Sequence, residues 1–346
     1  MSALATGRRR RTVPLLALLA AGALSLGAAP AVDRHDPVPP QGPEATALDD
    51  YNSLEAYQQV KGPWKVSPYT GLMAKQGPVL AVKFDNARRA RPHHNLDKAD
   101  IVYVEKVEGG MSRLMGMYSS QIPKSLGPVR SARESDVELL RQFGRPALAY
   151  SGVRSSLAKF LKKSPIYVRS HGALPKAYFR TQDRSAPHNL FVRPAAILKS
   201  APDAWKPTDI GFRFGPAPKG GKPTAERTVR YSSASHTFRW SAEKKRWFVS
   251  FDGAPARLTS GKQMSARTIV IQKVQMPPSK YRDVNGAVTP YIKTVGKGWA
   301  TVLRDGKAYR TWWERPNRKS GTTFIQKGGK PMPFAQGQVW IVYEDA

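Results

Sequence analysis

The chain has 346 residues, 56 lysines and arginines against 25 acids, a formal net charge of +31 and no cysteine. Without cysteine there can be no disulfide, thiolate metal site, thiol nucleophile or lipid-modified cysteine anchor. The charge favours solubility and attraction to anionic surroundings, and carries no information about the fold.

Arg8 to Arg11 precede the apolar run Leu15 to Gly27, and Ala29-Pro30-Ala31 fits a small-residue cleavage site. Residues 1–31 are therefore expected to form a cleaved export signal, read by the Sec or the twin-arginine route. The run is short for a bilayer span of about 20 residues. No later stretch is apolar enough, so no stable transmembrane segment is expected after cleavage. The expected location is extracytoplasmic: secreted, with wall association served by the charge. Residues 32–66, Pro-rich and polar, read as a tether.

Beyond it, Pro78 to Phe84 reads as a buried strand ending in Asp85-Asn86. Ile101 to Val104 reads as a second strand ending at Glu105, and Arg113 to Ser119 as a third. The short link from Glu108 to Arg113 favours an antiparallel pair. Ser131 with Glu134 three residues later is a capping-box pattern, so a helix is expected from Ser131 through Phe143. Ala147 to Ser151 reads as a strand, Ser155 to Lys163 as a short helix, and Pro194 opens another through Lys199. Seven short strands then alternate between 228 and 343, with Asp252-Gly253 and Asp305-Gly306 as hairpin turns. The expected architecture is an N-terminal α+β or α/β domain with a mixed sheet over 67–213 and a Pro/Gly linker over 214–224. A smaller all-β domain follows over 225–346. Six of the eight tryptophans fall in that last region. Core packing is their expected role, with an exposed sugar-binding stripe as the alternative.

Several blocks carry a resemblance. Pro68-Tyr69-Thr70-Gly71-Leu72, Phe84-Asp85-Asn86, Ala99-Asp100-Ile101-Val102-Tyr103, Gly127-Pro128-Val129-Arg130-Ser131-Ala132-Arg133, Ala186-Pro187-His188-Asn189-Leu190 and Gly337-Gln338-Val339-Trp340 resemble the YerB-like family of bacterial exported proteins. The resemblance covers nearly all of the chain beyond the signal. It implies a two-domain envelope protein, often a lipoprotein, and implies no particular activity. This chain departs from the family pattern by lacking the lipoprotein cysteine. It also carries Tyr150-Ser151-Gly152-Val153 where a His- and Gly-rich turn is usual.

The candidate chemistry lies in the first region. With Ser131 as helix cap, Arg130 and Arg133 crowd the positive end of a helix, where a bound anion would relieve them. An anion pocket is thus expected from Arg130, Arg133 and Ser131, with Arg113 or Arg184 as a further donor and Asn86 and Asn189 beside them. The competing expectation is internal neutralisation by Asp85, Glu105 and Glu108. His188, Asp85 and Glu108 are the candidates for proton transfer, against a purely structural loop histidine. Neither a metal nor a cofactor is expected, and the Walker loop, the dinucleotide fingerprint, the Gly-x-Ser-x-Gly elbow and any nucleic-acid module are absent from the sequence. The leading expectation is a non-catalytic envelope module binding an anionic wall or lipid-linked ligand, phosphate- or carboxylate-bearing. The alternatives are an envelope enzyme (a hydrolase or phosphotransferase) using the same pocket, and a protein-interaction scaffold contacting partners through its β region.

Overall fold

Eleven strands form one central sheet in the computed structural model, which describes residues 64–283 and 285–346. The expected export signal and the tether up to residue 63 lie outside the described residues. In chain order the strands are β1 (Leu80–Asp85), β2 (Ile101–Lys106), β3 (Ser112–Tyr118), β4 (Ala147–Tyr150), β5 (Tyr167–Ser170), β6 (Lys222–Pro223), β7 (Thr268–Val274), β8 (Gly296–Arg304), β9 (Lys307–Arg315), β10 (Thr323–Ile325) and β11 (Val339–Asp345). Across the sheet the order is β6-β9-β8-β7-β11-β2-β3-β1-β4-β5, with β10 also on β9.

The sheet is mixed. β3 runs antiparallel to both β2 and β1, as the short link from Glu108 to Arg113 requires. β4 is parallel to β1, and β5 to β4. β11, the last strand of the chain, lies between β7 and β2 and is parallel to both. The sheet therefore passes without a break from the N-terminal to the C-terminal region. Strands covered on both faces lose the in-out alternation of a half-exposed sheet. That is why β1 and β3 are buried at every residue.

One face is covered by a smaller five-stranded sheet built on residues 226–231, 234–241 and 246–251. Phe238 and Phe251 pack on Trp340 of β11, with ring centroids 6.1 and 6.2 Å away. Toward β4 the same face carries the short hairpin 178–192 and the helix Pro194–Lys199. The opposite face is covered by α1 (Glu134–Leu140), α2 (Ser155–Lys162) and the segment around Phe212, Phe324 and Phe334. Among the described residues no helix is long and apolar enough to cross a membrane.

The C-terminal region is strand-rich, as its periodicity indicated, and its hairpin turns have the expected chemistry. Asp305 and Gly306 between β8 and β9 have φ of 49° and 72°, the two positive angles of a type I′ turn. The stretch 214–216, part of the expected linker, lies against the sheet: Gly215 donates to the Phe334 carbonyl at 3.1 Å, and Arg304 donates to the Gly215 carbonyl at 2.8 Å. Trp247 and Trp340 are fully buried and Trp313 nearly so, in line with core packing, whereas Trp299 stays exposed.

Helix α1 departs from expectation. It starts at Glu134, capped at Arg133 rather than Ser131, and the reciprocal acceptor is Asp136 rather than Glu134, taking the Arg133 backbone N–H at 2.7 Å. The reason is tertiary. Asp85 and Val129 donate to the Pro128 and Leu190 carbonyls, Arg130 donates to Lys83, and Ser151 donates to Arg130. Residues 128–130 are thereby held extended alongside β1, and the chain turns helical only after Arg133. At seven residues, with Glu134 and Asp136 already in its first turn, α1 offers no vacant anion-binding terminus.

Candidate functional site

Because β1, β2, β4 and β5 run in one direction, their carboxyl ends share one edge of the sheet. Asp85, Glu105 and the Tyr150-Ser151 turn gather there, in the usual place for ligands of parallel sheets. Antiparallel β3 begins at the same edge, and its register sets Arg113 opposite both Asp85 and Glu105. The block 127–133 crosses above them.

Asp85 is the hub. It is fully buried, and Oδ1 accepts the Ala87 N–H at 3.0 Å and faces Arg113 Nη1 at 3.5 Å. Its Oδ2 accepts from His188 Nδ1 at 2.8 Å and faces Arg130 Nε at 3.4 Å. Burial alone would raise this carboxyl, but Arg113, the Ala87 amide, Arg130 and His188 together hold it below its ordinary value. His93 supports the hub from behind, its Nε2 lying 2.7 Å from the Asp85 carbonyl. Full burial depresses His93 to about 4, which keeps it neutral and fits a positioning role.

Two further networks flank the hub. Arg133 Nη2 donates to Glu108 Oε2 at 2.5 Å, and Thr289 donates to the other Glu108 oxygen. Burial would raise Glu108, but Arg133 and Thr289 outweigh it and hold it low. Beneath lies a buried triad in which the Lys83 ammonium donates to Glu105 and, at 2.6 Å, to Asp136. All three side chains are at most 2% exposed. Two carboxylates share one ammonium there. Burial, with Asp136 adding to it and Lys83 opposing, pushes Glu105 up to about 8.

That shift gives a signed pH dependence. A carboxyl whose folded pKa lies above its unfolded value adds stability that is complete below the unfolded value, about 4.3, and is lost as pH rises through about 8. Asp85 and Glu108, held low, contribute the opposite way, above their unfolded values, and that contribution is lost in acid. Glu105→Gln removes the first effect only. Urea unfolding between pH 5 and 8 is expected to show the wild type losing stability with a steeper slope than Glu105→Gln; equal slopes would refute the assignment.

The structure places the remaining sequence candidates as follows. Ser131 has its hydroxyl 3.4 Å from that of Ser151. Arg113 is buried beside Asp85, its Nε without a partner. Asn86 and Asn189 are ties within the fold: the first bonds Ser112 and Arg91, and the second bonds Arg180 and the Thr181 carbonyl. Arg184 is committed to the Ala90 and Pro92 carbonyls and to Asp183. Arg130, His188 and Arg113 thus converge on Asp85, while Ser131 faces Ser151 and Arg133 and Glu108 pair with each other. Sequence reasoning missed Lys83 and Asp136. A lysine in the middle of an otherwise apolar strand was the available signal for the first.

Residues 69–208 match a family model described as "Protein of unknown function (DUF3048) N-terminal domain", and residues 227–341 match the corresponding C-terminal domain. YerB of Bacillus subtilis (strain 168), which carries a provisional lipoprotein name, is 25% identical over 290 residues, 80% of this chain and 85% of that protein. The crystal structure of the YerB protein from Bacillus subtilis resembles this one with a TM-score of 0.69 at 23% identity. That match covers 80% of this chain and 95% of that one, and shows a common fold.

Proposed function

The chain belongs to the DUF3048 family, and from that premise we propose that it is a cell-envelope protein binding a phosphate- or carboxylate-bearing ligand over the Asp85 hub. The export signal expected in its first 31 residues and the lipoprotein name of its relative support the location. The binding reading rests on Arg130. Its side chain is 27% exposed, and among the described residues its one acidic neighbour is Asp85, which already faces Arg113 and His188. Glu108 is taken by Arg133, and Glu105 and Asp136 by Lys83. A partly exposed guanidinium beside a single shared carboxylate suits an incoming oxyanion. The site so defined no longer needs a helix terminus.

Arg130→Ala tests it. Loss of a charge-assisted hydrogen bond worth about 1.5–3 kcal/mol lowers affinity roughly tenfold to a hundredfold. Titration with inorganic phosphate and with a short-chain polyprenyl phosphate should show that loss, with the unfolding midpoint little changed. Equal phosphate affinity in Arg130→Ala, or none in the wild type, would sink the reading.

One observation favours the enzymatic alternative. His188 presents Nδ1 to a buried carboxylate, which orients the ring and leaves Nε2 for a substrate proton, the arrangement of a general base. On that reading His188→Ala abolishes turnover of a phosphate ester and retains phosphate binding.

A further inference from the structure

We infer that the outer face of β8 and β9 is a second binding site, separate from the Asp85 hub, whose ligand is an acidic polysaccharide. Trp299 on β8 and Trp312 on β9 stand directly opposite each other in register. Their ring centroids are 5.0 Å apart with the planes at 88°, and the Arg310 guanidinium lies 4.0 Å over the Trp299 ring. Trp299 nevertheless remains 47% exposed, while Ala300 and Trp313, which point to the other face, are 2% exposed.

Arg310 covers one face of the Trp299 indole and Trp312 braces it from the neighbouring strand, so the part left exposed is a flat apolar surface with little side-chain freedom left to lose on binding. The C–H face of a pyranose ring is flat and apolar in the same way, so the two stack. The cations settle the class of sugar. Among the described residues, neither Arg310 nor Lys297 lies within ion-pair distance of an acid, although Lys297 is in register with Glu314. Two unpaired cations beside an aromatic shelf match a carboxylate- or phosphate-substituted chain better than a neutral one. Single-stranded nucleic acid would also stack on such a shelf. An exported protein meets wall polymers first, which favours the polysaccharide.

The test uses the full chain and two probes, polygalacturonate as the acidic polymer and dextran as the neutral one. Isothermal titration is expected to show the wild type binding polygalacturonate and not dextran. Trp299→Ala should weaken that binding at least tenfold, and Trp299→Phe should restore part of it. Arg310→Gln with Lys297→Gln should remove the salt dependence. Thermal midpoints within a degree or two of wild type would show that folding is not the cause. The inference is overturned if the wild type ignores polygalacturonate, if dextran binds as well, or if Trp299→Ala binds like wild type. Tighter binding of single-stranded DNA overturns it too, as does a Trp299-dependent dimer in sedimentation without polymer. Phosphate binding at Arg130 should be the same in Trp299→Ala as in wild type, so the two proposals fail independently.

Discussion

A chain ending at Pro223 is expected to give no cooperative unfolding transition, although it contains the whole N-terminal family region and nearly all of the candidate site. The cut removes β11, which lies inside the sheet against β2. Trp340, Ile341, Val342 and Tyr343 of that strand are each at most 2% exposed. At about 1.5–3 kcal/mol per fully buried large apolar side chain, these four alone contribute roughly 6–12 kcal/mol, comparable to the whole stability of a typical protein, about 5–15 kcal/mol. The cut would also open the edge of β2 to pairing with other chains. Chemical denaturation followed by circular dichroism, with sedimentation to detect aggregates, would check this. A soluble fragment with a sharp transition would show instead that the two family regions fold independently.

The second large effect belongs to Asp85. Asp85→Asn keeps the shape and removes the negative charge, leaving Arg113, 5% exposed, with no acid within ion-pair reach among the described residues. Breaking a buried pair from one side costs about 3–5 kcal/mol, because the remaining charge stays desolvated and unmatched. Urea unfolding at pH 7 should show a loss of that order, and a loss below about 1 kcal/mol would mean that the hub is not a buried ion network. The same variant connects stability to the proposed ligand. An anion that binds only the folded state stabilises it by about 2.7 kcal/mol at a hundredfold excess over its dissociation constant. Added phosphate should therefore recover more stability in Asp85→Asn, where the competing carboxylate is gone, than in wild type. No recovery at any phosphate concentration would count against an anion site at Arg130.

The candidate site was only partly legible beforehand. The strand ends supplied Asp85, Glu105 and Glu108, and the Gly-Pro-Val-Arg-Ser-Ala-Arg block supplied the arginines. The two arginines of that block part ways in the fold: Arg133 is neutralised internally by Glu108, while the Arg130 side chain is 27% exposed beside Asp85. The helix start was misplaced because Ser131 and Glu134 satisfy a local pattern, whereas Leu190, Lys83 and Ser151 hold the preceding backbone extended. Lys83 escaped notice because its partners Glu105 and Asp136 lie 22 and 53 residues away.

Taken alone, the sequence determined the strands, the short helices and the hairpin turns, since periodicity and turn chemistry are properties of a few adjacent residues. It also carried the family, in blocks spread along the chain. Only the tertiary structure decided that the last strand lies beside β2, which acid answers which arginine, where α1 begins, and that Trp299 is the exposed member of the tryptophan-rich region. Those outcomes depend on register between segments distant in the chain, and a shift of one residue reverses which face a side chain takes.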